Sequence, residues 1–286
     1  MPNLDMRIGE VAQATGIAPA TLRAWERRYA ILSPTRTAGG HRVYGAGDVA
    51  RVRAVAALID SGMGVSAAAR RLTASGDNRS AVVTSTTDHL WAALDHFDER
   101  AARAAVREAS DVLGVPDAFD LVFVPVLRRL GSEWRLTPRN IAREHFASSI
   151  LRAHLVELLP PGQGAPTCLA FCPEGERHDH GLMMATATLG RAGWHAVVLG
   201  ADTPLASVEI LIKELEPALV LIGAIGRPPI TRLLDRWTPP RRTPLIAGGA
   251  GFRATDARRL GAHVFSGTYA ALPGVAAEAM QHSTAR

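Results

Sequence analysis

Four short apolar runs, separated by helical stretches, constrain the fold of the last third of this chain more than any other feature. The runs are CLAFC at 168–172, AVVLG at 196–200, ALVLIG at 218–223 and PLIAGG at 244–249. The helical stretches lie near 181–192, 205–215, 229–237 and 255–260. Continuously apolar strands that alternate with helices form a parallel sheet covered on both faces. The sequence therefore predicts a parallel α/β domain over 161–286, with a ligand site at the carboxyl ends of its strands.

The segment at 87–160 has the periodicity of packed helices. Leu90 and Leu94 begin one apolar face, and Pro138 opens a last helix that turns Ile150 inward. Antiparallel helices of this length, four in number, pack as a small four-helix bundle. The chain is therefore predicted to be multidomain, with both α and α/β parts.

Two polar breaks divide the chain, and its composition limits where it can reside. Small polar residues at 76–86 predict a linker, and PPGQGAP at 160–166 predicts a second break. Cys168 and Cys172 are too few for a disulfide framework, which favours a reducing cytosol. The N-terminus lacks the apolar run of a signal peptide, and no window is apolar enough to span a membrane. These features predict a cytoplasmic protein without a membrane partner.

The segment at 1–75 is predicted to form short helices around a turn. Thr15-Gly16-Ile17 separates two helices, and Pro19 suits the first position of the second one. A helix, a glycine turn and a helix outline a helix-turn-helix, and PTRTAGGHRVY at 34–44 predicts a β-wing. The segment holds ten arginines and five acidic residues, which accounts for the whole net charge of +5. Such an asymmetry is typical of a nucleic-acid-binding module joined to a neutral body.

The candidate recognition helix and wing carry the residues expected to contact DNA. Arg23 and Arg27 stand four positions apart and share one helix face, from which they can reach phosphates or base edges. The other candidates are Trp25, Arg28, Arg36, His41, Arg42 and Tyr44. Together, TLRAWERRY at 21–29 and PTRTAGGHRVYGAGDV at 34–49 resemble the winged helix-turn-helix of MerR-type transcription regulators, which implies binding to double-stranded operator DNA. Ala30 departs from the pattern, since these regulators usually carry a helix-ending glycine there.

A polar cluster, PEGERHDHG at 173–181, directly follows the first predicted strand of the α/β domain. A neutral imidazole at His178 can coordinate a metal, with Glu176 or Asp179 orienting its other ring nitrogen. Four converging ligands are not apparent, which argues against zinc. The spacing Glu176-x-His178-x-x-Gly181 is similar to the motif of cobalamin-binding Rossmann-like domains. That resemblance implies that His178 is the lower axial ligand of cobalt.

The same resemblance assigns glycines to the path of the cofactor's nucleotide tail. Gly181 lets the tail pass close to the backbone, and Gly248 and Gly249 fit the close-approach glycines of the family. After the third strand the family often has a serine near the tail, whereas this chain has Gly223-Ala224-Ile225. A backbone contact is expected to replace the hydroxyl.

Trp134 and the pair Glu144-His145 form a W-x₉-E-H motif that crosses from one bundle helix to the next. Beside the histidine motif, this resembles the helical cap of CarH/LitR-type photoreceptors. The resemblance implies that Trp134 packs near the adenosyl group of adenosylcobalamin, with Glu144 and His145 in the surrounding pocket. It also implies a homotetrameric repressor, not an enzyme, that holds its operator in the dark. Photolysis of the cobalt–carbon bond then releases the DNA.

Arg135 is the main departure from that family, whose better-known members carry a second histidine directly after the cap tryptophan. Arginine stays protonated and cannot coordinate a metal, so a bis-histidine photoproduct through this position is excluded. Water, hydroxide or His145 could take the site instead. Arg135 thus favours an alternative function, a light-independent cobalamin sensor with the same architecture.

Two further alternatives remain open. A cobalamin-binding module of a methyltransferase or mutase would share the histidine motif, but the DNA-binding segment and the lack of a substrate domain argue against it. A MerR-type regulator whose α/β domain binds another nucleotide-like ligand would share the DNA-binding segment. Cobalamin that colours the purified protein would exclude this last reading.

Overall fold

The computed structural model describes residues 6–37, 40–60, 63–159, 166–240 and 242–284. The chain divides into two compact units, Met1–Thr84 and Ser85–Arg286. Within the described residues, no helix combines the length and apolar character that crossing a membrane demands.

The first unit is a helix-turn-helix followed by a two-stranded wing. Its elements are α1 (Ile8–Thr15), α2 (Pro19–Tyr29), β1 (Thr35–Arg36), β2 (Arg42–Val43) and α3 (Ala46–Asp60), followed by the start of α4 (Val65–Asp95). Helix α1 ends at Gly16 with a φ of 72°, and Pro19 is the first residue of α2, as predicted. The core between the helices contains Leu22, Trp25 and Val52.

Ala30 ends helix α2 in the left-handed conformation, with a φ of 51° and a ψ of 31°. Its N–H donates to the carbonyl of Glu26 over 3.1 Å, which closes the last turn. This is the geometry that favours glycine, because a Cβ in this region costs about 1–2 kcal/mol. The alanine therefore preserves the expected turn at the cost of some backbone strain.

Helix α4 differs from the sequence-based expectation at 76–86. The segment predicted as an irregular linker is instead helical and part of the 31-residue α4, which continues through the boundary at Thr84. Its serines, threonines and asparagine are only mildly unfavourable in a helix, and without a proline nothing interrupts the backbone hydrogen bonding. Composition alone therefore overstates the break.

The second unit begins with a helical bundle. It comprises the end of α4, α5 (Glu99–Leu113), α6 (Val115–Ala118), a π-helical segment (Phe119–Phe123), α7 (Val124–Glu133) and α8 (Pro138–Glu157). Pro125 lacks an N–H and its ring would clash with the carbonyl four residues earlier, so the backbone widens into the π-turn just before it. Phe119, Phe123 and Leu151 are fully buried at the centre.

The α/β domain follows the predicted alternation. Its elements are β3 (Thr167–Pro173), α9 (His180–Arg191), β4 (His195–Thr203), α10 (Leu205–Leu215), β5 (Leu219–Gly223), α11 (Arg227–Arg236), β6 (Leu245–Gly248), α12 (Ala254–Leu260), β7 (His263–Phe265), a 3₁₀ turn (Tyr269–Ala271) and α13 (Leu272–Thr284). The sheet is parallel, with the strand order β4-β3-β5-β6-β7. The predicted parallel sheet is confirmed.

Two elements of this domain were not predicted, β7 and α13. Strand β7 has only three residues, two of them exposed, so it lacks the apolar run that marks the other strands.

The order of the strands reverses between β3 and β5, and this switch point places the loop after β3 where ligands bind in such sheets. Helix α9 contributes to the apolar core of the bundle through Met183, Met184 and Ala187, so the bundle packs directly against α9.

Candidate functional site

The loop between β3 and α9 brings Glu176 and His178 together at the switch point. Oε1 of Glu176 accepts the backbone N–H of His178 over 2.9 Å and lies 2.6 Å from its Nδ1. Oε2 accepts the backbone N–H groups of Ile225 and Gly226, each over 2.7 Å. The glutamate, 2% exposed, is therefore anchored by the backbone of the β5–α11 loop and in turn holds the imidazole.

The charge of Glu176 is stabilised in place. Burial by itself would raise its pKa, but hydrogen bonds from Gly226, His178 and Ile225 hold the pKa below its ordinary value. A carboxylate beside Nδ1 favours the tautomer that is protonated there, which leaves the Nε2 lone pair for a metal.

His178 could offer a metal one ligand. Its side chain is 65% exposed, and Nε2 has no hydrogen-bond partner within the described part of the chain. The residues that the structure describes contain no cluster of three or more histidine, cysteine or acidic side chains able to hold a metal ion. One exposed imidazole suits a metal that brings its other ligands with it, as in a macrocyclic cofactor. This donor set therefore fits cobalamin and does not fit a zinc site.

Asp179, the other residue that could have oriented His178, faces a different partner. Its two carboxylate oxygens accept from Nη1 and Nη2 of Arg152 on α8, over 2.7 and 2.5 Å. The structure therefore assigns the orientation of the imidazole to Glu176 and leaves Asp179 in contact with the bundle.

A cavity of about 100 Å³ opens beside His178 between α9 and the ends of β5 and β6. Gly181, Gly223, Gly248 and Gly249 are among its lining residues, the others being mostly apolar. Small residues leave room there for an inserted ligand group.

The two glycines at the end of β6 are under different constraints. Gly249 has a φ of 100°, and a Cβ there would lie 2.3 Å from the carbonyl oxygen of Ala224, so only glycine fits. A Cβ on Gly248 would meet only an ordinary contact with Phe265 at 3.7 Å. Close approach between backbone segments therefore explains Gly249, whereas Gly248 contributes open space to the cavity.

The cap motif lies where two bundle helices meet. Trp134 follows the last residue of α7 and is 38% exposed, while Glu144 and His145 lie on α8. Ser148 donates its hydroxyl to Oε1 of Glu144 over 2.8 Å, and His145 extends into solvent. The guanidinium of Arg135 lies 4.9 Å from the centre of the Trp134 ring. An exposed indole face of this kind can stack on a nucleoside.

A buried arginine fixes the turn that presents Trp134, and the sequence motifs did not reveal it. Arg143 on α8 binds Asp95 at the end of α4 over 2.6 Å and also binds Glu133, which directly precedes Trp134. Hydrogen bonds from Arg139 and Arg143 lower the pKa of Asp95. These ion pairs join three helices around the cap tryptophan.

The candidate DNA interface is a groove of about 630 Å³ between α2 and the wing. Four of its nine lining residues are arginines; the nine are Arg7, Ile8, Arg23, Glu26, Arg27, Gly40, His41, Arg42 and Tyr44. Arg23, Arg27, Arg28, His41 and Arg42 are exposed, as DNA contacts require. Arg7 was not predicted, because it lies at the start of α1, far from the recognition motif in sequence. Arg36 lies on β1, and its side chain is outside the described part of the chain.

Two predicted DNA contacts have structural roles instead. Trp25 is 7% exposed and belongs to the core that seats α2. Tyr44 is 3% exposed and donates its hydroxyl to Glu26 over 2.7 Å. Burial, followed by the bond to Glu26, raises the pKa of Tyr44 to about 12. Their position beside exposed arginines in the motif suggested contact, but aromatic bulk places both side chains inward.

Family models match two parts of the chain, the DNA-binding unit and the helical bundle. Residues 6–75 match the family of MerR HTH regulatory proteins, and residues 86–158 match the B12 binding domain family. The second match covers the helical bundle, which places the cap motif inside a B12-binding region.

Two curated relatives match nearly the whole chain, both from Myxococcus xanthus. The HTH-type transcriptional repressor CarA is 32% identical over 259 residues, which cover 87% of this chain and 88% of CarA. The HTH-type transcriptional repressor CarH is 32% identical over 293 residues, which cover 93% of this chain and 97% of CarH. Among solved structures, the monomethylamine corrinoid protein of Methanosarcina barkeri aligns with a TM-score of 0.54 at 20% identity, over 68% of this chain and 98% of that protein. This last likeness concerns the fold.

Proposed function

Because the chain belongs to the family of the MerR-type transcriptional repressors CarA and CarH, we propose that it is an adenosylcobalamin-dependent, light-responsive repressor. Its family places it among regulators that bind DNA and cobalamin, and not among enzymes. In the proposed function, the dark, cofactor-bound chain assembles into a homotetramer on operator DNA, and light releases it.

The observation that carries the cofactor assignment is the Glu176–His178 pair. His178 would hold cobalt through Nε2, since Nδ1 is held by a buried carboxylate. The cavity beside it, lined by Gly181 and Gly248, would take the nucleotide tail. Adenosylcobalamin, when bound, supplies a cobalt–carbon bond that visible light breaks. Exposed Trp134, held by the ion pairs of Arg143, would shield that bond from water.

In the proposed function, oligomerisation raises the affinity for an operator, because several DNA-binding units (heads) bind the same DNA molecule. The groove between α2 and the wing offers few cations, so a single head makes few phosphate contacts. Several heads on one DNA molecule raise the affinity about 10²–10⁴-fold through effective concentration. Dispersal of the assembly after illumination would then remove most of the DNA affinity without any change in the head.

Arg135 bears on the state that follows illumination. Its guanidinium remains protonated, lacks a lone pair for a metal and lies over the ring of Trp134. Position 135 therefore supplies no second cobalt ligand. His145, the histidine nearest to it in the sequence, has a 77% exposed side chain and could do so.

The test uses the full chain loaded with adenosylcobalamin in the dark. We expect a spectrum with histidine as the lower ligand that changes under green light, with loss of the oligomer in gel filtration. Affinity for a duplex selected from a random pool should fall at least about 100-fold upon illumination. In the same assay Arg23→Ala should weaken DNA binding by about 1–3 kcal/mol with an unchanged cofactor spectrum. A chain that takes up no cobalamin would contradict the proposal.

A second candidate is a light-independent cobalamin sensor, which Arg135 favours. In that case DNA binding and assembly would depend on cobalamin but stay the same before and after illumination. The measurements above separate the two functions, because only the light response differs between them.

A further inference from the structure

One face of helix α8 contacts the loop that carries His178. Glu144, Ser148 and Arg152 are spaced four residues apart and therefore lie on the same face of α8. The carbonyl of Ser148 accepts from Nε2 of His180 over 3.1 Å, and its hydroxyl donates to Glu144. One turn further along, Arg152 binds Asp179. The same helix thus bears both a cap-motif residue and the partners of the two residues that follow His178.

In the Arg152–Asp179 pair, the aspartate does not cap its own helix. Asp179 occupies the N-cap position of α9, where an aspartate ordinarily accepts a backbone N–H of the first turn, but it makes no such bond. Both of its oxygens are paired with Arg152 instead, and its side chain is 2% exposed. A bidentate pair restrains position and direction together. A carboxylate this deeply buried would also be strongly destabilised without its partner.

We propose that Arg152 is a positioning residue for the cobalt-binding imidazole. Through Asp179 it fixes the backbone on the C-terminal side of His178, while Glu176 fixes the ring itself. Because Arg152 belongs to the bundle, a displacement of α8 changes the geometry at His178. The helices of the bundle would thereby be coupled to the side chain that would hold cobalt. This inference rests on the proposed cobalamin function.

The test compares Arg152→Gln with the wild-type full chain, each loaded with adenosylcobalamin in the dark. The absorption spectrum reports the fraction with imidazole coordinated, and a pH titration gives the midpoint at which it is released. We expect coordination to weaken about tenfold and the midpoint to rise by about one pH unit. Arg152→Lys keeps the charge but not the two parallel hydrogen bonds, so its coordination and its midpoint should lie between those of the wild type and Arg152→Gln.

Arg107→Gln is the matched control, because it removes an arginine that pairs with Glu157 within the bundle. A general loss of bundle stability would change the absorption spectrum of both glutamine variants in the same way. An Arg152→Gln spectrum equal to that of Arg107→Gln would therefore overturn the proposal. The double variant Arg152→Gln/Asp179→Asn leaves no buried unpaired charge and serves if the single variant fails to fold. It should show the same loss of coordination.

A second readout needs no cofactor. The amide of Met183 donates to the carbonyl of Asp179 over 2.9 Å, so its hydrogen exchange in the unloaded chain reports how firmly this loop is held. We expect exchange to accelerate about tenfold in Arg152→Gln but not in Arg107→Gln.

Failure of this inference is distinguishable from failure of the proposed function. A wild-type chain that takes up no cobalamin, or whose bound cofactor has the spectrum of His178→Ala, would overturn both. A wild-type chain with coordinated imidazole, together with an unaffected Arg152→Gln variant, would overturn only the role of Arg152.

Discussion

Glu26 in the DNA-binding unit and Glu176 in the cofactor loop each hold a nitrogen-bearing side chain at a functional surface, but they are held differently themselves. Glu26 contacts side chains, the hydroxyl of Tyr44 and Nε of Arg42, over 2.7 and 3.1 Å. Glu176 accepts three backbone N–H groups besides the imidazole of His178. Backbone donors cannot rotate away, so Glu176 is a fixed acceptor for the imidazole. Arg42, more than half exposed, can exchange Glu26 for a DNA phosphate.

The largest effect is expected for Glu176→Gln. The amide would present an N–H₂ group to backbone donors that need an acceptor, so the unit should lose about 3 kcal/mol of unfolding free energy. Cobalamin affinity should fall about 10–100-fold, because the imidazole loses its orientation. Urea denaturation and cofactor titration measure these effects. The neighbouring exposed Glu174→Gln is the control, and equal effects at both positions would contradict a special role for Glu176.

The pH dependence of stability sharpens the same contrast. The folded-state pKa of Glu176 lies below its ordinary value of 4.5, so its contribution is present above that value and is lost as the pH falls through the folded pKa. The stability gap between the wild type and Glu176→Gln should therefore be constant near neutral pH and narrow below about pH 4.5. Urea denaturation at a series of pH values checks this. A gap that stays constant into acid would contradict the depressed pKa.

Glu26→Gln should have a smaller effect, about 1 kcal/mol, since its partners are side chains that can rearrange. Loss of the charged acceptor should also lower the pKa of Tyr44 from about 12, although burial keeps it above 10.0. Ultraviolet titration of the tyrosines measures this shift. The spectrum of bound cobalamin should not change, and a changed spectrum would break the comparison.

Ala30→Gly should give the smallest effect, and it should be favourable. Glycine relieves the left-handed strain at a φ of 51° but loses more chain entropy on folding. We expect a net gain of up to about 1 kcal/mol in the DNA-binding unit with unchanged DNA affinity, measured by thermal unfolding and gel shift. Destabilisation would show that the alanine methyl group packs favourably.

Most of the fold follows from local pattern. The apolar runs at 168–172, 196–200, 218–223 and 244–249 all became strands of one parallel sheet, because burial on both faces leaves a continuous apolar signature. Strand β7 was not predicted because it has only three residues, two of them exposed. The predicted linker at 76–86 became helix because composition reports propensity only weakly.

In the candidate site, too, the sequence predicted the local arrangement but not the long-range contacts. The spacing of Glu176 and His178 is local, two residues apart, and so the sequence indicated which ring and which carboxylate could meet. The choice between Glu176 and Asp179 was not local. It depended on Ile225 and Gly226, about 50 residues away, and on Arg152 from another helix.

The residues and their periods therefore specified the elements, the order of the domains and the chemistry available at the switch point. Only the packed structure decided which charges pair, which aromatic side chains turn inward and which arginine holds the histidine loop. The physical reason is that periodicity and spacing act between neighbours along the chain. Desolvation and hydrogen bonding act between groups that folding brings together, so one carboxylate came to face an imidazole and the next a guanidinium.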